Sequence, residues 1–325
     1  MKLRRRAFLH LAAGAAALSG VLRIAQAQAY PTRPVRIIVP TAPAGAPDVV
    51  ARLMGPWLSE RLGQQFVVEN RPGSGSNIGT EAVVRASPDG YTLLVVSSAN
   101  TINATLYDKL NFVFLRDIAA VAGIISLPFV MVVSPSVPAK TVPEFTAYAK
   151  ANPGKISFGS PGIGTPGHVA GELFNMMAGV EMIHVPYRGG GAVVSDLLGG
   201  QVQVLFGTTS LTVEHVRAGK LRALAVTGAT RWEGLPDIPT VADFVPSYEA
   251  GSLFGLGAPK NTPSEIIEKL NQEVNAGLDD PKLKTRLVDL GGTLLGGSPA
   301  DFGKRIADDT EKWGKVIRAV NIKAQ

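Results

Sequence analysis

The hexapeptide Gly162-Ile163-Gly164-Thr165-Pro166-Gly167 spells G-x-G-x-x-G between an apolar run and a helical pattern. At that spacing a glycine-rich turn lets backbone N–H groups approach the pyrophosphate of a dinucleotide. Three features argue against a nicotinamide site. The first glycine comes three residues after the strand-ending Gly159, Pro166 sits inside the fingerprint, and Glu181 falls before the next strand instead of at its end. The same glycines suit a simpler task, bringing N–H groups at a helix N-terminus to an anion. Other catalytic patterns are sparse. Without cysteine there is no thiolate nucleophile, disulfide or zinc-thiolate site. After the leader the histidines are His168, His184 and His215, with no G-x-S-x-G elbow and no H-E-x-x-H helix. His168 and Glu172, one helical turn apart, lack a third metal ligand. No cofactor or metal is assigned. An exported nicotinamide-dependent oxidoreductase or hydrolase stands as the alternative to a small-molecule binder.

Groups able to hold a small acid cluster where strand patterns end. Thr41, Ala44 and Gly45 lie in the loop TAPAGAP, and Asp48 follows where a helix needs an N-cap. Ser97, Ser98 and Asn100 close one strand, and Gly207, Thr208 and Thr209 another, offering neutral donors. Gly162, Ile163, Gly164 and Thr165 offer N–H groups and a hydroxyl, the latter a donor to an acid. His168, at the start of the following helix, is placed to donate to a carboxylate, with packing as the competing role. Arg188, between HVPY and three glycines, is the candidate fixed positive charge, with a solvated loop position as the alternative.

These loops are positioned by an order of elements that occurs twice. VRIIVP, the helix DVVARLMGPWLSERLG closed by Gly63, QQFVVEN, the helix TEAVVRASPDG and YTLLVVSS form the first β-α-β-α-β series. KISFGS, HVAGELFNMMAG, EMIHVPY, AVVSDLLGG and QVQVLFG form the second. Each series is half of an open, doubly wound sheet whose crevice lies beyond the strands' carboxyl ends. LRALAVTG and SLFGLGAP add two strands. Thr262-Pro263-Ser264-Glu265 reads as a capping box, and Asp280-Pro281 and Ser298-Pro299-Ala300-Asp301 start two further helices. The C-terminal helices cannot form a core alone. The expected fold is therefore α/β and two-lobed, each lobe a doubly wound mixed sheet flanked by helices. Lobe one comprises 30–127 and 251–325, lobe two 128–250, with crossings near Leu127-Pro128 and Glu249-Gly251.

Lys2, Arg4, Arg5 and Arg6 precede LHLAAGAAALSGVL, which is too short to span a bilayer, and small-x-small sites follow at Ala25-Gln26-Ala27 and Ala27-Gln28-Ala29. Residues 1–29 read as a signal peptide, and Arg5-Arg6-Ala7-Phe8-Leu9 matches the core of a twin-arginine signal, an ordinary secretory signal being the alternative. The leader holds five of the 32 basic residues and none of the 26 acidic ones, leaving 27 basic residues in the mature chain. That near balance removes nucleic acid and anionic lipid from the partners a basic isoelectric point would suggest. At about 295 residues the mature chain is long enough for two domains.

The segments YPTRPVRIIVP, VVENRPGSGSNIGTEAV, SPDGYTLL, GTPGHVAGELF, HVPYRGGG, DLLGGQVQVLF, AGKLRALAVT and LPDIPTVAD, in that order, resemble the Bug-type solute-binding proteins of tripartite tricarboxylate transporters. The resemblance implies a type II periplasmic binding protein fold and a periplasmic, monomeric receptor. It would capture a di-, tri- or aromatic carboxylate between the lobes and hand it to a membrane permease. It departs from the family pattern at Thr41 (usually aromatic), Ala44 (usually Gly), Ile163 (usually polar) and Gly207 (often Asp), changes that imply a different, less polar solute. Replacing Arg5 and Arg6 together by Lys should retain precursor in the cytoplasm. An unchanged periplasmic yield would assign export to the general secretory route instead.

Overall fold

Both series fold as their apolar patterns dictate. In the computed structural model, which describes residues 30–324, the first series is β1 (Val35–Val39), α1 (Ala46–Leu62), β2 (Phe66–Asn70), α2 (Asn77–Val84) and β3 (Thr92–Ser97). The expected signal segment, 1–29, lies outside the described residues. Helices α3 (Ser98–Leu106) and α4 (Phe114–Asp117) lead into β4 (Ile118–Val133), followed by α5 (Val142–Ala151). The second series is β5 (Ile156–Ser160), α6 (Pro166–Ala178), β6 (Met182–Pro186), α7 (Gly190–Leu198) and β7 (Val204–Thr208). Then come α8 (Thr209–Arg217), β8 (Arg222–Val226), β9 (Gly251–Pro259), α9 (Ser264–Asp279), α10 (Pro281–Val288), β10 (Thr293–Leu294) and α11 (Pro299–Ala319).

The repeat is visible in the pairing. β1 lies between β2 and β3, and β5 between β6 and β7, all parallel, so the first strand of each series is central. The full order is β2-β1-β3-β9-β4-β7-β5-β6, with β8 and β10 also on β4. Each half-sheet is mixed, because β9 and β4 run antiparallel to their neighbours. Side-chain alternation along β4 feeds two layers: Phe129, Met131 and Val133 enter one apolar cluster, Val130 and Val132 another.

β4 and β9 carry the chain between the half-sheets. β4 pairs with β9 from Ile118 to Pro128 and with β7 and β8 from Phe129 onward, with register shifts beyond Ala120, Gly123 and Met131. Gly251 faces Pro128 across the pair so closely that a Cβ on it would lie 2.7 Å from the Leu127 carbonyl oxygen. The fully buried Thr227, just after β8, fastens this crossing. Its N–H donates to Phe129 O and its carbonyl accepts from the Ala250 N–H, each at 2.9 Å. Its Oγ1 accepts from the Phe129 N–H and donates to Ala250 O, each at 2.7 Å.

The C-terminal helices dock through buried polar contacts as well as an apolar face. In α11 Phe302, Ile306, Trp313, Val316 and Ile317 are buried at helical spacing. Asp309 on the same face accepts from Ser98 Oγ (3.1 Å) and Thr101 Oγ1 (2.8 Å) of α3. Trp313, Val316 and Ile317 join the large cluster containing Phe129, Phe158 and Phe174, while Phe302 and Ile306 join Ile38 and Leu94, so α11 packs against residues of both half-sheets. The caps at Asp280 and Ser298 form as the sequence suggests. The Thr262 capping box does not: Thr262 Oγ1 donates backward to Pro259 O (2.7 Å), and Pro263 is the residue that caps α9.

Thr227→Val keeps the shape but leaves the Phe129 N–H without its hydroxyl acceptor. Urea unfolding should show a loss of about 1–3 kcal/mol, with most of it recovered in Thr227→Ser. A change within about 0.5 kcal/mol would deny the crossing this fastening.

Candidate functional site

The loop after β1 is shaped by a buried carboxylate. Asp48 is not the N-cap the sequence suggests. Gly45 holds that position, and Asp48, two residues inside α1, folds back over the loop. Its Oδ2 accepts from the Ala44 N–H and from Arg52 Nε, each at 2.9 Å, and its Oδ1 from Asn70 Nδ2 at 2.9 Å. Asn70 Nδ2 also reaches Thr41 O at 3.1 Å, closing the loop onto β2. Ala44 is thereby held at φ +67°, a left-handed conformation that costs a non-glycine residue about 1–2 kcal/mol. Burial works against ionisation of Asp48, but bonds from Arg52, Ala44 and Asn70 outweigh it and hold the carboxyl below its ordinary value.

The junction of β3 and α3 has a mainly internal role. Asn100 Oδ1 accepts from the Ser97 N–H at 2.9 Å, and Asn100 Nδ2 donates to Thr80 Oγ1 at 2.7 Å. Ser98 Oγ accepts from the Leu253 N–H and donates to Asp309, which removes it as a ligand donor. Ser97 Oγ differs. It is buried without a hydrogen-bond partner, and so is Thr41 Oγ1. Ile38 pairs with Leu94, so Thr41 and Ser97, each three residues further, stand at one level on adjacent strands. Asn77 Nδ2, at the start of α2, is a third buried polar atom without a partner.

The glycine-rich loop after β5 is self-bonded. Thr165 Oγ1 donates to Gly162 O at 2.7 Å, so its hydroxyl proton is committed within the loop and not held out for an acid, as the sequence alone suggests. His168 is likewise an acceptor here: its Nδ1 takes the Gly164 N–H at 3.0 Å. The Ile163 N–H has no partner among the described residues, and the N–H groups opening α6 lack intrahelical carbonyls. The glycines serve close packing. A Cβ on Gly164 would lie 2.1 Å from Leu106 Cδ2 of α3, and one on Gly167 would lie 2.9 Å from Phe206 O. Two of the three fingerprint glycines are thus occupied by packing within the protein.

Register brings the second-half residues together. Ser160 pairs with Pro186 and Gly159 with Leu205, so Gly162, Arg188 and the Gly207-Thr208 step stand near one level at the carboxyl ends of β5, β6 and β7. Arg188 is exposed and has no hydrogen bond or ion pair among the described residues. Gly207 is buried, and a Cβ there would lie 2.6 Å from Thr212 Cγ2. Between the half-sheets lies a cavity of about 310 Å³, in which Ala44 of the first loop faces Thr208 of the second half. Of the residues the sequence singles out, these two and Thr209 line it. The others sit at neighbouring strand ends. Its wall also includes Val49, Val213, Arg217, Trp232 and Leu290, which sequence reasoning missed because the body of α8 carries no glycine-rich signature. Thr209 Oγ1 donates to Leu290 O at 2.8 Å across the cavity's base, and Arg217 is 3.1 Å from Glu214.

Two opposed loop systems at strand carboxyl ends, with a cavity between, define a solute-binding architecture, and comparison with known proteins agrees. The tripartite tricarboxylate transporter family receptor model matches residues 50–322, and the chain belongs to that family. BugT of Bordetella pertussis is 34% identical over 310 residues, covering 94% of this chain and 95% of its own length. A solved R. palustris protein with adipate is 35% identical, with a TM-score of 0.79 over 90% of this chain and 99% of that one. MatC from Rhodopseudomonas palustris with bound malate is 29% identical, with a TM-score of 0.75 over 89% and 100%. The family is one of transport receptors, not of enzymes. No helix among the described residues is long and apolar enough to cross a membrane.

Asp48→Ala should cost about 1–3 kcal/mol at pH 7, since the Ala44 N–H loses its acceptor. Because the folded carboxyl titrates below the unfolded value of about 4, the difference from wild type should be full above that pH. It should then fade as the pH drops through the folded value. Urea titrations at a series of pH values check this. A difference that persists unchanged in acid would remove the charged loop anchor.

Proposed function

We propose that the chain is a periplasmic receptor that captures a small carboxylate between its half-sheets and presents it to the membrane permease of a tripartite tricarboxylate-type transporter. The observation that carries this reading is the cavity faced from opposite sides by the first turns of α1 and α8, whose unpaired N–H groups favour an anion. Among the described residues, Arg217 is the one basic side chain lining it, and Glu214 already engages it. An acid there is held chiefly by backbone N–H groups and hydroxyls. Relatives bound to adipate and malate support a carboxylate as the solute.

In this reading residues 30–127 with 251–325 form one lobe and 128–250 the other. The lobes close about the β4 and β9 crossing, as hinged binding proteins do. The receptor works as an exported monomer, its leader 1–29 removed. The ligand set comprises the loops of Thr41, Ala44 and Gly45, of Gly162, Ile163, Gly164 and Thr165, and of Gly207 and Thr208, with Arg188 at the rim. Micromolar affinity needs about 8 kcal/mol, within reach of three or four charge-assisted hydrogen bonds of about 1.5–3 kcal/mol each plus apolar contact.

The test is a thermal-shift panel of adipate, malate, citrate and benzoate on the mature protein, with native mass spectrometry for any co-purified acid. An acid at about 100 times its dissociation constant should add about 2.7 kcal/mol of stability, seen as a rise of a few degrees. The same acid should shrink the protein in small-angle scattering. A panel without any shift, or a bound nicotinamide in the purified protein, would overturn the reading.

A further inference from the structure

A buried histidine, His168, and a half-buried one, His184, lie beside the glycine-rich loop. Their rings stack with centroids 3.5 Å apart and an interplanar angle of 13°. His168 projects from α6 and is 4% exposed, and His184 comes from β6, the neighbour of β5. Each ring grips one end of the loop. His168 Nδ1 accepts the Gly164 N–H at 3.0 Å. His184 Nε2 lies 2.7 Å from Ser160 Oγ, which in turn is 2.9 Å from Gly162 O and 3.2 Å from Gly162 N.

The chemistry of imidazole fixes what His168 must be. A ring nitrogen that accepts an N–H bond carries no proton, so the neutral ring holds its proton on Nε2, which faces Glu172 Oε1 at 3.6 Å. Such a ring does not donate to an acid through Nδ1, and stacking on His184 covers one of its faces. Its effect is on the backbone. It engages the Gly164 N–H, while the Ile163 N–H beside it has no partner among the described residues. It also holds Gly164 at φ +71° against Leu106, the place where the second-half loop meets α3 of the first half.

We propose that His168 is a positioning residue. Without touching the solute, it uses the lone pair of Nδ1 to fix the Gly162–Thr165 loop in the form that presents the Ile163 N–H and fits Leu106 across the cleft. His184 and Ser160 hold the other end, so the stacked pair acts as one clamp. The consequence for binding rests on the receptor reading above. The clamp itself does not, and it is tested in the unliganded mature protein.

The first measurement is the imidazole nitrogen spectrum of uniformly ¹⁵N-labelled wild type at neutral pH. It should show His168 as the Nε2–H tautomer with an unprotonated, hydrogen-bonded Nδ1, whereas a proton on Nδ1 would overturn the proposal without any variant having to fold. The second is amide hydrogen exchange at Gly164. His168→Phe keeps a flat ring for the stack but has no acceptor, and should speed exchange by about tenfold, as expected for losing one buried hydrogen bond. His168→Asn places an amide oxygen where Nδ1 was and should restore protection. Exchange at Gly164 that ignores the Phe variant, or that Asn fails to rescue, refutes the clamp. An intact clamp in a protein that no carboxylate stabilises would count against the receptor reading and leave this one standing.

Discussion

The site depends on the antiparallel pairing of β4 with β9, fastened by Thr227. These strands are the paths along which the chain passes between the half-sheets, and their pairing ends at Pro128 and Gly251. A proline without an N–H and a glycine without a Cβ meet where β4 exchanges one partner for two others. Neither residue suits a strand interior, and both suit a place where the ladder must change. Everything that faces the cavity, from Ala44 on one side to Thr208 on the other, is placed relative to this crossing.

The polar chemistry around the cavity is mostly inward. Asp48, Ser98, Thr165 and His168 all look like ligand contacts by residue type and position, and all have internal partners that hold backbone in place. Among the described residues, what remains unpartnered besides the exposed Arg188 is neutral: the buried oxygens of Thr41 and Ser97, the amide of Asn77 and the Ile163 N–H. A site of this kind selects an anion by oriented dipoles instead of opposite charge. Such dipoles are rigid and need no neutralising partner when the cleft is empty.

Much of this was legible in the sequence. The doubled β-α-β-α-β order was readable because apolar runs and glycine-rich loops alternate, and the same alternation placed the candidate residues at strand ends. The unbroken length of β4 was not readable, since IAAVAGIISLPFVMVV contains Gly123 and Pro128, which look like breaks until neighbours on both sides are known. Roles were harder than positions. Whether Ser98 offers its hydroxyl to a ligand is decided by Asp309, 211 residues later, and no local pattern carries that information. Asp48 reads as a helix cap because caps and residues inside the first turn share the same composition. Geometry alone separates them. Trp232, Val213 and Arg217 carry no motif and enter the site through tertiary contact only.

The most direct test of the account is a crystal structure of the mature protein with the acid that stabilises it most. The account predicts the carboxylate between the half-sheets, with its oxygens on N–H groups of the loop containing Ile163 and of the first turns of α1 or α8, and with no side-chain cation as its main partner. An acid bound elsewhere, or one held chiefly by Arg188 or Arg217, would contradict it.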